Sequence, residues 1–149
     1  SAACKIGAIL GKVSLEKEEA LARYGMELGI AFQLVDDCLD YTSNNEELGK
    51  TIGNDLREGK ITLPLICAIK NATTLEKEEI WTAIEAGSLK DSQLSSVIGL
   101  INKYKGIDYT LSRARQYVEN AKACLNIFEP NVERAALIAL ADYVVERTY

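Results

Sequence analysis

The chain has 149 residues, of which 48% are hydrophobic and 26% are charged, with a net charge of −5 and no histidine. It is long enough for one domain with a sizeable buried core, and its acidic balance argues against a nucleic-acid partner. No apolar run approaches the length of a membrane-spanning helix, and no signal peptide opens the chain, so we expect a cytoplasmic protein without stable membrane insertion.

Helical patterns run along the whole sequence, and no segment is predicted to be a strand. The predicted helices cover residues 2–11, 14–41, 64–71, 73–87, 91–103, 108–128 and 131–147. Pro64 fits a first helical turn, and Thr73 with Glu76 forms a capping box. Gly106 is expected to lie in a helix break, between the helices predicted for residues 91–103 and 108–128. The sequence therefore predicts an all-α fold with a single domain over residues 1–149.

Three aspartates, Asp36, Asp37 and Asp40, stand in an otherwise apolar helical stretch. At about 100° per residue they fall on one narrow arc, and Gln33 lies on it one turn earlier. Because the rest of the circumference is apolar, we expect a buried helix, where three unpaired carboxylates would repel one another and lose their hydration. Mg²⁺ removes both costs, since it binds carboxylates together with water and phosphate oxygens. The strip predicts a magnesium-dependent diphosphate site, and its alternative is a solvated helix face.

A segment with three glycines follows the aspartates and ends at Pro64. Glycines allow tight or left-handed backbone conformations, so this segment is predicted to be a loop. Lys50, Arg57 and Lys60 place positive charge near the carboxylates, as a diphosphate needs in addition to a metal. Arg57 has charged neighbours in the sequence and is expected to be solvated.

The four cysteines are scattered through apolar helical contexts without paired spacing. With no histidine in the chain they cannot complete a zinc site of the usual kind, and we expect reduced thiols. Cys38 lies inside the aspartate stretch, but its angular position points away from the carboxylates. We expect it to be a small buried hydrophobic residue.

These residues resemble the second aspartate-rich motif and adjoining loop of the trans-isoprenyl diphosphate synthases, with the long-chain polyprenyl branch as the nearest match. The matching positions read Asp36-Asp37-x-x-Asp40 and Gly49-Lys50-x-x-Gly53-x-Asp55-Leu56-x-x-Gly59-Lys60-x-Thr62-Leu63-Pro64. Residues 1–10 and 141–147 are similar to helices of the same family, so the resemblance covers the whole chain. It implies a helical bundle of the isoprenoid synthase type.

Family members are much longer and carry a first aspartate-rich motif on an earlier helix. This sequence lacks that motif, because Asp36-Asp37 is its only Asp-Asp pair. We therefore expect the C-terminal part of a single synthase domain, inactive by itself. Two alternatives stay open: a half-synthase or regulatory subunit of a heteromeric prenyl synthase, and a lyase of the terpene cyclase type.

The resemblance implies a prenyltransferase that condenses isopentenyl diphosphate with an allylic diphosphate into an all-trans polyprenyl diphosphate of octaprenyl or similar length. It also implies Mg²⁺ as cofactor and a homodimer. The predicted metal ligands are Asp36, Asp37, Asp40 and Asp55. The predicted catalytic residues are Asp36, Asp37 and Lys50. The predicted substrate contacts are Phe32, Gln33, Lys50 and Lys60.

Some of these assignments have a second interpretation. Asp55 either binds a metal through water or only caps the loop. Gln33 either contacts substrate or is an amide bonded within the core. Lys50 and Lys60 either bind the diphosphate or are ordinary surface lysines. Phe32 is expected to line an isoprenoid cavity.

Overall fold

In the computed structural model the chain is described over residues 1–42, 52–85 and 89–147, and these ranges contain helices and no strand. The helices are α1 (Ala2–Leu10), α2 (Leu15–Thr42), α3 (Asn54–Arg57), α4 (Leu63–Asn71), α5 (Thr74–Glu85), α6 (Asp91–Lys103), α7 (Gly106–Cys124), a 3₁₀ turn (Leu125–Ile127) and α8 (Val132–Glu146). The all-α prediction is confirmed. Within the described ranges, every helix is too short or too polar to span a bilayer.

Helix boundaries follow local signals in the sequence. Pro64 lies in the first turn of α4, where its missing N–H costs no helical hydrogen bond. The capping box is formed at α5: the Thr73 N–H donates to the Glu76 carboxylate at 2.8 Å, and the Glu76 N–H donates to Thr73 Oγ1 at 3.4 Å. At α8 the side chain of Asn131 accepts the Arg134 N–H at 2.7 Å. The predicted starts of these three helices are confirmed.

Two local predictions are wrong. The sequence predicts a loop up to Pro64, but the structure has helix α3 inside it. The sequence also predicts a break at Gly106, whereas this glycine begins α7 and the left-handed residue is Lys105, with φ of 53°. A Cβ atom at position 106 would overlap the carbonyl oxygen of Pro64. Glycine is needed there because the start of α7 touches the start of α4.

The chain divides into two compact units: residues 36–111, called the central unit, and residues 1–35 with 112–147, called the terminal unit. In the central unit α4, α5 and α6 pack against one another. Its fully buried side chains include Leu65, Ile80, Val97 and Ile101. Tyr41 from the end of α2 and Leu56 of α3 join the same hydrophobic cluster, so burial stabilises α3 despite its length. The single-domain expectation stays a prediction.

The terminal unit has a buried tyrosine at its centre. Tyr24 is 1% exposed, and its hydroxyl donates to the Leu137 carbonyl at 2.8 Å. Burial raises the pKa of Tyr24 to about 12. Gly25 lets α1 approach α2, since a Cβ atom there would lie 2.9 Å from the Ser1 nitrogen. A tyrosine hydrogen bond and a close helix contact thus order this unit.

Candidate functional site

The predicted aspartates lie in the last two turns of α2. Asp36 is exposed, Asp37 is 8% exposed and Asp40 is half-buried. The sequence predicts a buried helix at these positions, and this is wrong for Asp36 and for Gln33, which is also exposed. Adjacent aspartates of the strip therefore differ in exposure: Asp36 faces solvent and Asp37 is buried.

Three of the predicted metal ligands act on one buried phenol. The pKa of Tyr41 is raised to about 12, first by burial and then by the negative charges of Asp40, Asp55 and Asp37. Asp40 and Asp37 come from α2, whereas Asp55 comes from α3. Carboxylates of α2 and α3 thus both contribute negative potential at the Tyr41 phenol.

Asp40 binds the start of α3 through both carboxylate oxygens. The Asn54 N–H donates to its Oδ1 at 3.1 Å, and the Asp55 N–H donates to its Oδ2 at 3.1 Å. The Asp40 carbonyl accepts the Gly53 N–H at 2.9 Å. Burial raises the pKa of Asp40, and the two amide hydrogen bonds oppose that shift. This side chain therefore has defined protein partners.

Lys60 is exposed and lies between two carboxylates. Its Nζ is 2.9 Å from Asp55 Oδ1 and 2.8 Å from Glu58 Oε2. These hydrogen bonds raise the pKa of Lys60, and the hydrogen bond from Lys60 lowers the pKa of Glu58. The lysine is charged and already oriented by carboxylates. Its predicted contact with a diphosphate stays a prediction, as do both interpretations of Asp55.

Arg57 corrects one expectation. The sequence predicts a solvated arginine, but Nη1 donates to the Leu89 carbonyl at 3.1 Å and Nη2 lies 2.6 Å from Asp91 Oδ1. Its side chain is 28% exposed. Arg57 therefore ties α3 to the start of α6. The partners are more than 30 residues away along the chain, and no local signal marks them.

The remaining predicted residues lie elsewhere. Phe32, 47% exposed, belongs to the terminal unit, where the Arg147 guanidinium lies 3.8 Å from its ring centroid and donates to its carbonyl at 2.9 Å. Sequence reasoning missed Arg147, because this pair is 115 positions apart. Lys50 lies outside the described residues. The cavity role of Phe32 and the substrate role of Gln33 stay predictions.

Cys38 is a buried thiol within the aspartate stretch. It is 2% exposed, and its Sγ donates to the Ile107 carbonyl at 3.9 Å. Burial raises its pKa to about 12, and the charge of Asp37 adds to the shift. A thiol with this pKa is a poor metal ligand, because ligation requires the thiolate. All four cysteines are free, as predicted.

The carboxylates fit a metal that takes few ligands from the protein. In the described ranges, no group of three or more carboxylates or thiols surrounds a single ion position. Mg²⁺ does not require such a group, because it usually keeps several waters and binds one or two carboxylates plus substrate phosphates. Asp36 and Asp37 offer the hard oxygen donors that Mg²⁺ prefers.

Comparisons with known proteins identify the family of this chain. Residues 1–101 match the family model of the polyprenyl synthetases, and the chain belongs to that family. It is 40% identical over 146 residues to the octaprenyl diphosphate synthase of Escherichia coli and 36% identical over 149 residues to a short chain isoprenyl diphosphate synthase of Methanothermobacter thermautotrophicus. These alignments cover 98% and 100% of this chain, but 45% of each relative.

A solved structure gives the same result. The polyprenyl synthase of Caulobacter crescentus, complexed with calcium and isoprenyl diphosphate, superposes with a TM-score of 0.88 at 43% identity. That alignment covers 96% of this chain and 44% of the other. The isoprenoid synthase fold is therefore confirmed, and the chain spans less than half the length of the relatives it matches.

Proposed function

We propose that the native protein containing this chain is a prenyltransferase that condenses isopentenyl diphosphate with an allylic diphosphate. These 149 residues supply its second aspartate-rich motif. The observation that supports this most is the contact between the Asp40 carboxylate of α2 and the Asp55 amide of α3, which brings together the two helices that carry the predicted ligands, in a chain of the polyprenyl synthetase family.

The reaction breaks the C–O bond between the allylic carbon and its diphosphate. Pyrophosphate leaves with the bonding electrons, and the double bond of isopentenyl diphosphate attacks the allylic cation to form a C–C bond. Loss of a proton then restores a double bond. Stabilising charge on the leaving group is the main electrostatic task, and a water-poor cavity protects the cation.

The residues of this chain perform the first part of that task. Asp36 and Asp37 would hold magnesium, which when bound supplies a Lewis acid for the departing pyrophosphate. Lys60 would exchange one of its carboxylate partners for a phosphate oxygen and donate a charge-assisted hydrogen bond. Lys50 is proposed to make a second such contact.

We further propose a long-chain all-trans product, on the resemblance of the sequence from Gly49 to Pro64 to the long-chain branch. A cytoplasmic homodimer is proposed on the same resemblance. The heteromeric and cyclase alternatives make different predictions for the same assay.

The test is incubation of the native protein, isolated from its source cells, with labelled isopentenyl diphosphate, Mg²⁺ and a series of allylic diphosphates. The expected product is a ladder of all-trans polyprenyl diphosphates that needs both substrates. Cyclised hydrocarbon from one allylic diphosphate would contradict the proposal in favour of a lyase. Magnesium-dependent pyrophosphate binding without turnover would favour a subunit that works only with another chain.

A second measurement separates a synthase from a half-protein. The intact mass of the native polypeptide is compared with the 16.4 kDa of these residues. A mass about twice as large is expected for a synthase that carries both aspartate motifs in one chain. A mass equal to that of these residues would favour the heteromeric alternative.

A further inference from the structure

Both carboxylate oxygens of Asp40, one of the predicted metal ligands, bind backbone amides of another helix. The N–H groups of Asn54 and Asp55 donate to its two oxygens, and the Gly53 N–H donates to its carbonyl. Three consecutive amides are therefore satisfied by a single residue 13 to 15 positions earlier in the chain.

The amides that Asp40 binds are those that a helix leaves unpaired at its start. In most helices a residue directly before the helix accepts such N–H groups through its side chain. Here the preceding residue is Gly53, which has no side chain, and its φ of 72° is a left-handed conformation. Asp40, which belongs to α2, therefore caps α3 in place of the preceding residue. A helix of four residues has little stability of its own, so it depends on this contact together with the burial of Leu56.

The position of Lys60 depends in turn on α3. Asp55 lies in the first turn of α3, and its Oδ1 accepts a hydrogen bond from Lys60 Nζ at 2.9 Å. The Lys60 N–H donates to the Asp55 carbonyl at 2.8 Å, so both the backbone and the side chain of Lys60 are bound to Asp55. A continuous series of hydrogen bonds runs from Asp40 through Asp55 to Lys60.

We infer that Asp40 is a positioning residue, which fixes α3 on the end of α2 and through Asp55 sets Lys60 for the diphosphate, and is not the third metal ligand. This inference rests on the proposed function for its diphosphate. Mg²⁺ needs only one or two carboxylates, which Asp36 and Asp37 provide. A metal bound to Asp40 would have to share oxygens that each already accept one amide N–H.

The test compares Asp40→Asn with Asp36→Asn in the native protein. An asparagine side chain at position 40 offers one acceptor and places an NH₂ group against the second amide. Hydrogen–deuterium exchange of residues 53–60, without metal or substrate, is expected to become at least about tenfold faster in Asp40→Asn and to stay unchanged in Asp36→Asn. Unchanged exchange in Asp40→Asn would overturn the inference, whether or not the protein proves to be a prenyltransferase.

Kinetics then separate positioning from metal binding and from a merely structural role. Asp40→Asn is expected to raise the KM for the allylic diphosphate by about tenfold, the effect of one lost charge-assisted contact. The Mg²⁺ concentration for half-maximal activity should stay within about twofold of wild type in Asp40→Asn and rise clearly in Asp36→Asn. An equal rise in both variants would show that Asp40 is a ligand. Faster exchange with an unchanged KM would show a structural role only.

Two further variants keep the test independent of how well Asp40→Asn folds. Lys60→Ala combined with Asp40→Asn should raise KM no more than Lys60→Ala alone, because both changes remove the same contact. Gly53→Ala strains the same turn, since its Cβ would lie 2.5 Å from Leu94 Cδ1. This variant keeps the Asp40 carboxylate. It is expected to reproduce the raised KM of Asp40→Asn. Additive effects of Asp40 and Lys60, or a normal KM in Gly53→Ala, would contradict the inference.

Discussion

The hydroxyl oxygens of Tyr41 and Thr62 lie 3.1 Å apart and share a hydrogen bond. Tyr41 is in the last turn of α2, and Thr62 is the residue that precedes α4. The contact therefore joins the two ends of the segment that carries α3, Asp55 and Lys60. Because Tyr41 is 5% exposed, this hydrogen bond is shielded from water. Tyr41 also packs in the core of the central unit, so this hydrogen bond connects the segment to that core.

Tyr41→Phe should lower the free energy of unfolding by about 1 kcal/mol, because it removes this hydrogen bond and leaves the Thr62 hydroxyl without that partner. Urea unfolding of the native protein measures the change. Tyr109→Phe is the matched control, since Tyr109 is 48% exposed. Equal unfolding midpoints for the two variants would contradict a role for the Tyr41 hydroxyl.

Alkaline pH should destabilise the protein through the buried phenols of Tyr24 and Tyr41. The pKa values of Tyr24 and Tyr41 are raised from 10.0 to about 12 in the folded state. Between these values the unfolded chain loses protons that the folded chain keeps, so stability falls as the pH rises through this window. Unfolding measured from pH 9 to 12 should show a shallower decline in Tyr24→Phe and Tyr41→Phe than in Tyr109→Phe. A common slope in all three variants would be evidence against this account.

Acid should destabilise the protein through Glu76. Hydrogen bonds from Lys103, Tyr104 and Thr73 lower the pKa of this carboxyl well below its ordinary value of 4.5. Its contribution to stability is present above that value and is lost as the pH falls below it, since the unfolded state then binds the proton first. Glu76→Gln should flatten the acid limb of the stability curve. Glu78→Gln, an exposed carboxylate on the same helix, should leave it unchanged.

Gly106→Ala should lower the free energy of unfolding by about 1–3 kcal/mol. Its Cβ would overlap the backbone of Pro64, so one helix would have to move. Gly99→Ala in α6 is the control, as no atom lies within 4 Å of its added Cβ. It should be neutral or stabilise by up to about 1 kcal/mol, since alanine favours a helix. Thermal unfolding of both variants gives the comparison, and a loss of equal size in both would contradict the close contact.

The parts of the structure predicted from sequence are those fixed by neighbouring residues. The capping box of Thr73 and Glu76 and the proline of α4 mark their helices within one turn. Helix α3 escaped prediction because its stability comes from Asp40 and from the burial of Leu56, and no periodic pattern marks four residues.

In the candidate site, too, features fixed by neighbouring residues could be predicted and features fixed by distant contacts could not. The spacing of Asp36, Asp37 and Asp40 predicts their place on one helix, and the contact of Asp40 with Asp55 is seen only in the structure. Their different environments could not be read from the sequence, since the amide contacts of Asp40 depend on the packing of α3. The contacts of Arg57 with Leu89 and Asp91 were missed for the same reason.

The proposed function requires Asp36 and Asp37 of α2 to bind the metal that assists departure of the diphosphate. Turnover of isopentenyl and allylic diphosphates by the native protein tests it most directly when Asp36→Ala is compared with Asp108→Ala, an exposed aspartate of α7. Asp36→Ala should reduce turnover by about three orders of magnitude or more with unchanged helix content, and Asp108→Ala should retain wild-type turnover. Full activity in Asp36→Ala would contradict the metal assignment.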